Sequence, residues 1–146
     1  MRGVSLIELL VVLVVLGVLA SIAVPSYRSY TLRAGRTEAR ASLLSLATAQ
    51  EKYYLECHAY APTLQTAQPS SCAPARLRFA PASERGLYAI AVTAADTGSW
   101  SATATRSSGT AQSADRRCRV FDLNSMGEKS ARDDAGLPTT RDCWDR

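Results

Sequence analysis

The feature that most constrains this chain is an apolar run near its N-terminus, which extends from Val4 to Val24. At a rise of about 1.5 Å per residue, a helix of this length spans roughly 30 Å, the thickness of the hydrocarbon core of a bilayer. One carboxylate, that of Glu8, lies inside the run, where it costs about 2.5–3.5 kcal/mol on membrane-insertion scales. The run therefore predicts a membrane-spanning helix, and Glu8 needs an explanation of its own.

Two simpler interpretations of this run are a cleaved secretory signal and a plain single-span anchor. A secretory signal has a basic start, a short apolar core and a cleavage site with small residues. Here the basic part is only Met1-Arg2 and the apolar run is longer than such a core, although "ASIAVP" near residue 20 resembles a cleavage site. A plain anchor leaves Glu8 without a role.

The helical pattern continues beyond Pro25. Residues at alternating spacings of three and four fall on one stripe of a helix; here they are Leu32, Arg36, Ala39, Leu43, Leu46, Gln50 and Tyr53. Pro25 removes one backbone hydrogen bond and bends the helix, and Gly17 is a second weak point. We therefore predict one long helix, roughly residues 4–55, apolar all round in its first half and amphipathic in its second.

The rest of the chain has the texture of a loop followed by strands. After Glu56, prolines and small polar residues predict a long loop. Strand patterns follow at residues 87–94, 100–106 and 118–123, and "NSMGEKS" indicates a turn into a short fourth strand. The tail is expected to be irregular. These elements predict an α+β domain in which the amphipathic half of the helix covers one face of a small antiparallel sheet.

Composition and motifs exclude several classes of protein. The net charge is +4 over 146 residues, with acids interleaved among bases, so no stripe that would bind a polyanion stands out. An even number of cysteines after an export-type N-terminus favours two disulfides formed outside the cytoplasm; they are Cys57, Cys72, Cys118 and Cys143. The sequence has one histidine and no C-x-x-C pair, G-x-S-x-G motif or glycine-rich phosphate loop. We therefore predict that the chain has no metal site and no cofactor and is not an enzyme.

The stretch "GVSLIELLVVLVVLGVLASIAVPSY" resembles the N-terminus of type IV pilins and of type II secretion pseudopilins. The family pattern is a short basic leader ending in glycine, a hydrophobic first mature residue, a glutamate at the fifth mature position, and a proline-centred bend followed by tyrosines. These positions fall here on Gly3, Val4, Glu8, Pro25, Tyr27 and Tyr30. The chain departs from the pattern in having Val4 where the family usually has phenylalanine, and in a leader of only three residues.

The resemblance implies how the chain is processed and assembled. A prepilin peptidase is expected to cleave between Gly3 and Val4, and the new amine of Val4 is expected to be methylated. In the fibre, Glu8 is expected to neutralise the Val4 ammonium of an adjacent subunit, because both charges are costly alone in apolar surroundings. In the fibre, the helix between Gly17 and Pro25 is expected to lose helical hydrogen bonds.

The same resemblance implies a pilin fold in three parts: a leader at 1–3, a hydrophobic helix at 4–31 for anchoring and the filament core, and a globular head at 32–146. The chain is expected to cross the inner membrane once and then to enter a pilus fibre on the cell surface. Its expected partners are other pilin subunits, the prepilin peptidase and the inner-membrane assembly platform.

The second half of the chain is most similar to PilE-type minor pilins, through "QSADRRCRVFDLNSMGEK" and the terminal "CW". The four cysteines allow three pairings, and we expect the local one. A Cys57–Cys72 bridge closes the loop after the helix and is an unusual addition to the family pattern. A Cys118–Cys143 bridge pins the tail to the sheet edge, as the C-terminal bridge does in pilins of this type.

The resulting functional hypothesis is a structural subunit, a minor pilin, of a type IV pilus that supports twitching motility, adhesion or DNA uptake. One alternative is a DNA-binding competence pilin, in which rim arginines contact phosphates; the candidates are Arg116, Arg117 and Arg119, with Arg106, Arg132 and Arg141 nearby. The competing expectation, which we favour, is that these arginines pair with neighbouring acids, namely Asp115, Asp122, Asp133 and Asp142.

The other alternative is a type II secretion pseudopilin, whose major forms bind calcium through a C-terminal loop. Asp133 and Asp134 are the candidate ligands here, but two adjacent acids in such a loop are expected simply to be solvated. Trp100 and Trp144 are expected to pack on the sheet and to anchor the tail rather than to bind a ligand.

Overall fold

The computed structural model describes residues 5–145, and its dominant element is one helix, α1, at Leu6–Cys57. Pro25 lies inside α1, which continues to the end of the predicted amphipathic half. The helix ends two residues later than predicted, at Cys57, and is capped by His58, whose backbone is left-handed (φ 52°). The N–H of His58 donates to the carbonyl of Tyr54 at 2.8 Å and closes the last turn.

The two halves of α1 have different surroundings. Its first half is exposed on all sides, whereas its second half buries one stripe against the head; the buried residues are Gly35, Ala39, Leu43, Leu46, Gln50 and Tyr53. The predicted stripe is therefore confirmed from Ala39 to Tyr53. Leu32 and Arg36, which were assigned to the same stripe, are only partly buried, because the head begins to cover the helix at their level.

A first, three-stranded sheet lies in the segment that was predicted to be a loop, and that prediction is wrong. The strands are β1 (Thr63–Gln65), β2 (Ser71–Cys72) and β3 (Ala75–Arg78). Their order is β1-β3-β2, with β1 parallel and β2 antiparallel to the central strand β3. Strands of two to four residues are too short to show a period of two in the sequence.

The second sheet is the predicted antiparallel meander, in the order β4-β5-β6-β7. Its strands are β4 (Tyr88–Ala95), β5 (Trp100–Arg106), β6 (Val120–Asn124) and β7 (Lys129–Arg132). Alternate residues of β5 and β6 are buried, which is the pattern of a sheet with one face on the core. Tyr88, Trp100 and Phe121 are the largest side chains of that buried face. The α+β pilin fold is thereby confirmed.

The tail is more regular than predicted, because residues Thr140–Trp144 form a short helix, α2. Trp144 anchors it: its indole Nε1 donates to the carbonyl of Ser130 at 2.8 Å, and its ring packs edge-on against Phe121. The two disulfides join Cys57 to Cys72 and Cys118 to Cys143, so each bridge is local. Both cysteines of the second bridge, one within α2 and one just before β6, are fully buried.

Candidate functional sites: an apolar helix and an arginine loop

The first candidate site is the apolar half of α1. Its large side chains are exposed from Leu6 to Val24, and within residues 5–145 it is the single stretch long and apolar enough to cross a membrane. Glu8 lies in its first turn and is exposed, where the partial positive charge of a helix N-terminus favours a carboxylate. Gly3 and Val4, the expected cleavage and methylation residues, lie outside the described residues.

The second candidate site is the segment 115–119, here called the arginine loop, which joins a 3-10 helix (Ala111–Ala114) to β6. Asp115 and Cys118 point into the protein and are buried, whereas Arg116, Arg117 and Arg119 are exposed. The predicted rim arginines are therefore brought together on one short loop with their side chains in solvent.

The backbone of the arginine loop is held by hydrogen bonds to the protein behind it. Its carbonyls accept hydrogen bonds as follows: Asp115 from Arg106 Nη1, Arg116 from the Asp134 N–H (3.1 Å), Arg117 from Thr139 Oγ1 (2.9 Å), and Arg119 from the Arg106 N–H (2.8 Å). The N–H of Arg119 donates to the carbonyl of Arg132 at 3.0 Å. Cys118 adds a covalent link to α2. The loop is thus held at nearly every residue.

Only some of the candidate arginines form ion pairs with acidic residues. Three ion pairs form: Arg117 with Asp142 (3.2 Å), Arg132 with Asp122 (2.9 Å) and Arg106 with Asp134 (3.2 Å). Within residues 5–145, Arg116, Arg119 and Arg141 form no ion pair. The expectation that neighbouring acids neutralise the whole group is therefore wrong for these three arginines.

Arg106 is not the phosphate-contacting residue that the sequence suggested. Its side chain is only 15% exposed, and its guanidinium bonds inward to Asp134 and to the carbonyl of Asp115. Its place at the end of β5, beside the loop, explains why it supports the loop backbone instead of facing solvent.

Asp115 belongs to a buried polar cluster that sequence reasoning missed. Arg36 of α1 bonds both of its carboxylate oxygens, at 2.7 and 2.9 Å. The amide Nε2 of Gln112 lies 3.1 Å from the same carboxylate and 3.0 Å from the hydroxyl of Tyr88. The signal was present in the sequence, because a charged residue in an apolar stripe needs a buried partner of opposite charge.

The electrostatics of this cluster follow from burial. Burial lowers the pKa of Arg36, but the hydrogen bonds and charge of Asp115 outweigh that effect and raise it overall. Burial, followed by the nearby carboxylate of Asp115, raises the pKa of Tyr88. The Arg36 guanidinium is therefore charged and Tyr88 is a neutral phenol at physiological pH.

The candidate calcium ligands have structural partners. The Asp133 carboxylate accepts the N–H groups of Ala135 and Leu137, each at 2.9 Å, and so shapes its own turn. Asp134 pairs with Arg106. Across residues 5–145 the structure brings no three potential metal-ligating side chains together.

The fold, an apolar helix leading into a disulfide-bonded α+β head, and the match of residues 1–24 to the prokaryotic N-terminal methylation motif together define a type IV pilin. Residues 25–122, about two thirds of the chain, match the family model of the type IV minor pilin ComP, DNA uptake sequence receptor. The chain belongs to that family and is a type IV minor pilin, as the resemblance predicted. No curated protein matches it significantly. The proteins of pilin families have structural roles.

Proposed function

We propose that this minor pilin binds double-stranded DNA for uptake, and that the arginine loop is its phosphate-binding surface. The observation that carries the proposal is the loop itself. Its arginines Arg116, Arg117 and Arg119 are exposed, and its backbone is held by hydrogen bonds to the protein behind it. The match to a family described as a DNA uptake sequence receptor supports the same function, although the sequence alone favours neutralisation of these arginines by neighbouring acids.

The physical case rests on charge and on pre-organisation. Phosphate contacts supply most of the affinity of a protein for DNA, and arginine forms two parallel hydrogen bonds to a phosphate. A loop that is already ordered loses little conformational entropy when it binds. The exposed Arg117 can exchange its partly exposed partner Asp142 for a phosphate, because surface ion pairs contribute only about 0–1 kcal/mol.

The test is the salt dependence of duplex binding by the full-length chain. We expect Arg116→Gln and Arg119→Gln each to weaken binding and to reduce the slope of log K against log salt by about 0.9. Arg78→Gln is the matched control, since Arg78 is an exposed arginine of β3 in the other sheet. Loss of affinity equal to that of the control would contradict a role for the loop.

We further propose that the chain follows the pilin assembly route. The leader 1–3 is removed by a prepilin peptidase, Val4 is methylated, and the helix 4–31 anchors the chain in the inner membrane at the assembly platform. The helix then joins those of other pilin subunits in the fibre, where Glu8 neutralises the Val4 ammonium of a neighbour, while the head 32–146 faces outward. The exposed apolar half of α1 and the methylation motif support this route.

Intact-mass spectrometry of the chain from sheared fibres tests the processing step. We expect a chain that begins at Val4 and carries one additional methyl group. A chain that retains Met1, or one cut near Ala23, would contradict the proposed route.

A further inference from the structure

The ion pair between Arg36 and Asp115 connects the long helix to the first residue of the arginine loop. We infer that Arg36 is a positioning residue for DNA binding: it does not contact DNA, but it holds Asp115 and thereby fixes the three exposed arginines that follow. This inference rests on the proposed function of the loop.

Each nitrogen of the Arg36 guanidinium has an acceptor inside the protein. Its Nε and Nη2 bond the two carboxylate oxygens of Asp115, and its Nη1 lies 3.4 Å from the carbonyl of Asp142. The side chains of Arg36 and Asp115 are 13% and 2% exposed. A phosphate would have to displace this buried arrangement, whereas Arg116 and Arg119 are already exposed.

The same guanidinium touches both chain segments that carry the second disulfide. Asp115 precedes Cys118 by three residues and Asp142 directly precedes Cys143, and Asp142 is also the partner of Arg117. The side chain of Arg36 therefore contacts both the arginine loop and α2, and it fixes the position of each of them along α1.

Removing Arg36 would leave the Asp115 carboxylate buried without its cationic partner, which is strongly unfavourable. The amide of Gln112 stays bonded to it but carries no charge. Asp115 regains hydration when it turns outward, and this displaces the adjacent Arg116 and Arg117. Lysine cannot substitute fully, because it lacks the planar fork that bonds both carboxylate oxygens.

The decisive measurement combines duplex binding with hydrogen exchange on the full-length chain. For Arg36→Met we expect the salt slope to fall by the equivalent of about two or three phosphate contacts, although only one buried charge is removed. A direct contact of Arg36 with DNA would lower the slope by about one contact. Arg36→Lys, which keeps the charge and therefore the compensation of Asp115, is expected to give an intermediate loss.

The double variant Arg36→Met/Asp115→Asn is the internal control for coupling. A neutral amide at residue 115 can stay buried and bonded to Gln112, so we expect the double variant to bind DNA better than Arg36→Met alone. Strict additivity of the two substitutions would contradict the inference.

Hydrogen exchange separates failure of the inference from failure of the proposed function. In Arg36→Met, the amides of Arg116 and Arg119, which donate to the carbonyls of Ala114 and Arg132, should exchange at least tenfold faster while those of β4 and β5 keep their protection. If the wild-type chain binds no duplex, the proposed function is wrong, and the exchange result still decides whether Arg36 holds the loop. Unchanged exchange of the loop, or equal acceleration throughout the head, would overturn the positioning role.

Discussion

Gln112 lies directly against Gly35, so closely that a β-carbon on residue 35 would overlap its carboxamide. Gln112 is buried and its Nε2 also reaches the Leu32 carbonyl of α1 at 3.1 Å. The absence of a side chain at residue 35 is therefore what lets the 3-10 helix approach α1 and deliver Asp115 to Arg36.

The first prediction is that Gly35→Ala destabilises the head. Alanine would improve the helix propensity by up to about 1 kcal/mol, but overpacking a filled core costs roughly 1–3 kcal/mol. We expect the overlap to dominate, because Gln112 is buried and would lose the hydrogen bonds of its amide to Leu32, Tyr88 and Asp115 if it moved away. Chemical denaturation of the full chain in detergent measures the free energy of unfolding.

Gly17→Ala is the matched control for this prediction, since a β-carbon at residue 17 meets nothing within 4 Å apart from its chain neighbours and the backbone of its own helix. The same substitution in the same helix should leave the unfolding of the head unchanged. Equal stability of the two variants would show that the Gly35–Gln112 approach has no energetic consequence.

The second prediction concerns the two disulfides. On the loop-entropy model, bridges that close loops of 15 and 25 residues each stabilise by roughly 3–3.5 kcal/mol. Cys118→Ser/Cys143→Ser should release α2 from the arginine loop and abolish DNA binding, because both sulfurs are buried in the core.

Cys57→Ser/Cys72→Ser should loosen mainly the first sheet and leave DNA binding close to that of the wild type, since Cys72 is exposed and far in sequence from the arginine loop. Proteolysis and duplex binding of both double variants distinguish the outcomes. The assignment of separate roles would be wrong if both variants lost binding equally.

The elements that the sequence predicted are those with a long, regular pattern. The amphipathic part of α1 repeats its burial every three or four residues from Ala39 to Tyr53, and β4 and β5 alternate clearly. The strands β1 to β3 and the helix α2 were missed because elements of two to five residues contain at most two periods of their own pattern.

The site was harder to predict than the fold, because it depends on which charges meet across the chain. Arg36 and Asp115 are 79 residues apart, and local sequence offered Asp115 nearer partners in Arg116 and Arg117. Tertiary packing instead turned Asp115 inward and the arginines outward. Spacing within one segment cannot reveal that choice, although the lone arginine on the apolar stripe of α1 was a usable sign.

The third prediction uses Glu38, which fastens the segment before β4 to α1. Burial disfavours its ionised form, but hydrogen bonds from Ser83 and from the N–H and side chain of Arg85 outweigh this and lower its pKa. The stabilisation by Glu38 is therefore complete above the unfolded-state pKa of about 4.3. It is lost as the pH falls through the lower pKa of the folded state.

Glu38→Gln should consequently be less stable than the wild type at pH 7, and the difference should narrow as the pH falls below about 4.3. Asp96 also has a lowered pKa, through the N–H groups of Gly98 and Ser99, and its contribution cancels in the comparison of the two proteins. Glu84→Gln, at an exposed neighbouring acid, should run parallel to the wild type. A constant difference for Glu38→Gln across this pH range would contradict the assignment.

The last prediction returns to the acid in the apolar helix. Glu8 is exposed in the first turn of α1, and within residues 5–145 it makes no contact with the head, so Glu8→Ala should leave the folding of the head and membrane insertion intact. Without its charge, the Val4 ammonium of a neighbouring subunit would be buried in the fibre core without a partner, which is costly in apolar surroundings. We expect the variant to enter fibres at a fraction of the wild-type amount, and Glu8→Gln to fail similarly because the charge is lost in both.

Leu9→Ala removes an adjacent apolar side chain without changing charge and should be incorporated far better. Quantitative immunoblots of sheared fibres against membrane fractions give the ratio, and normal incorporation of both Glu8 variants would show that the carboxylate has no part in assembly.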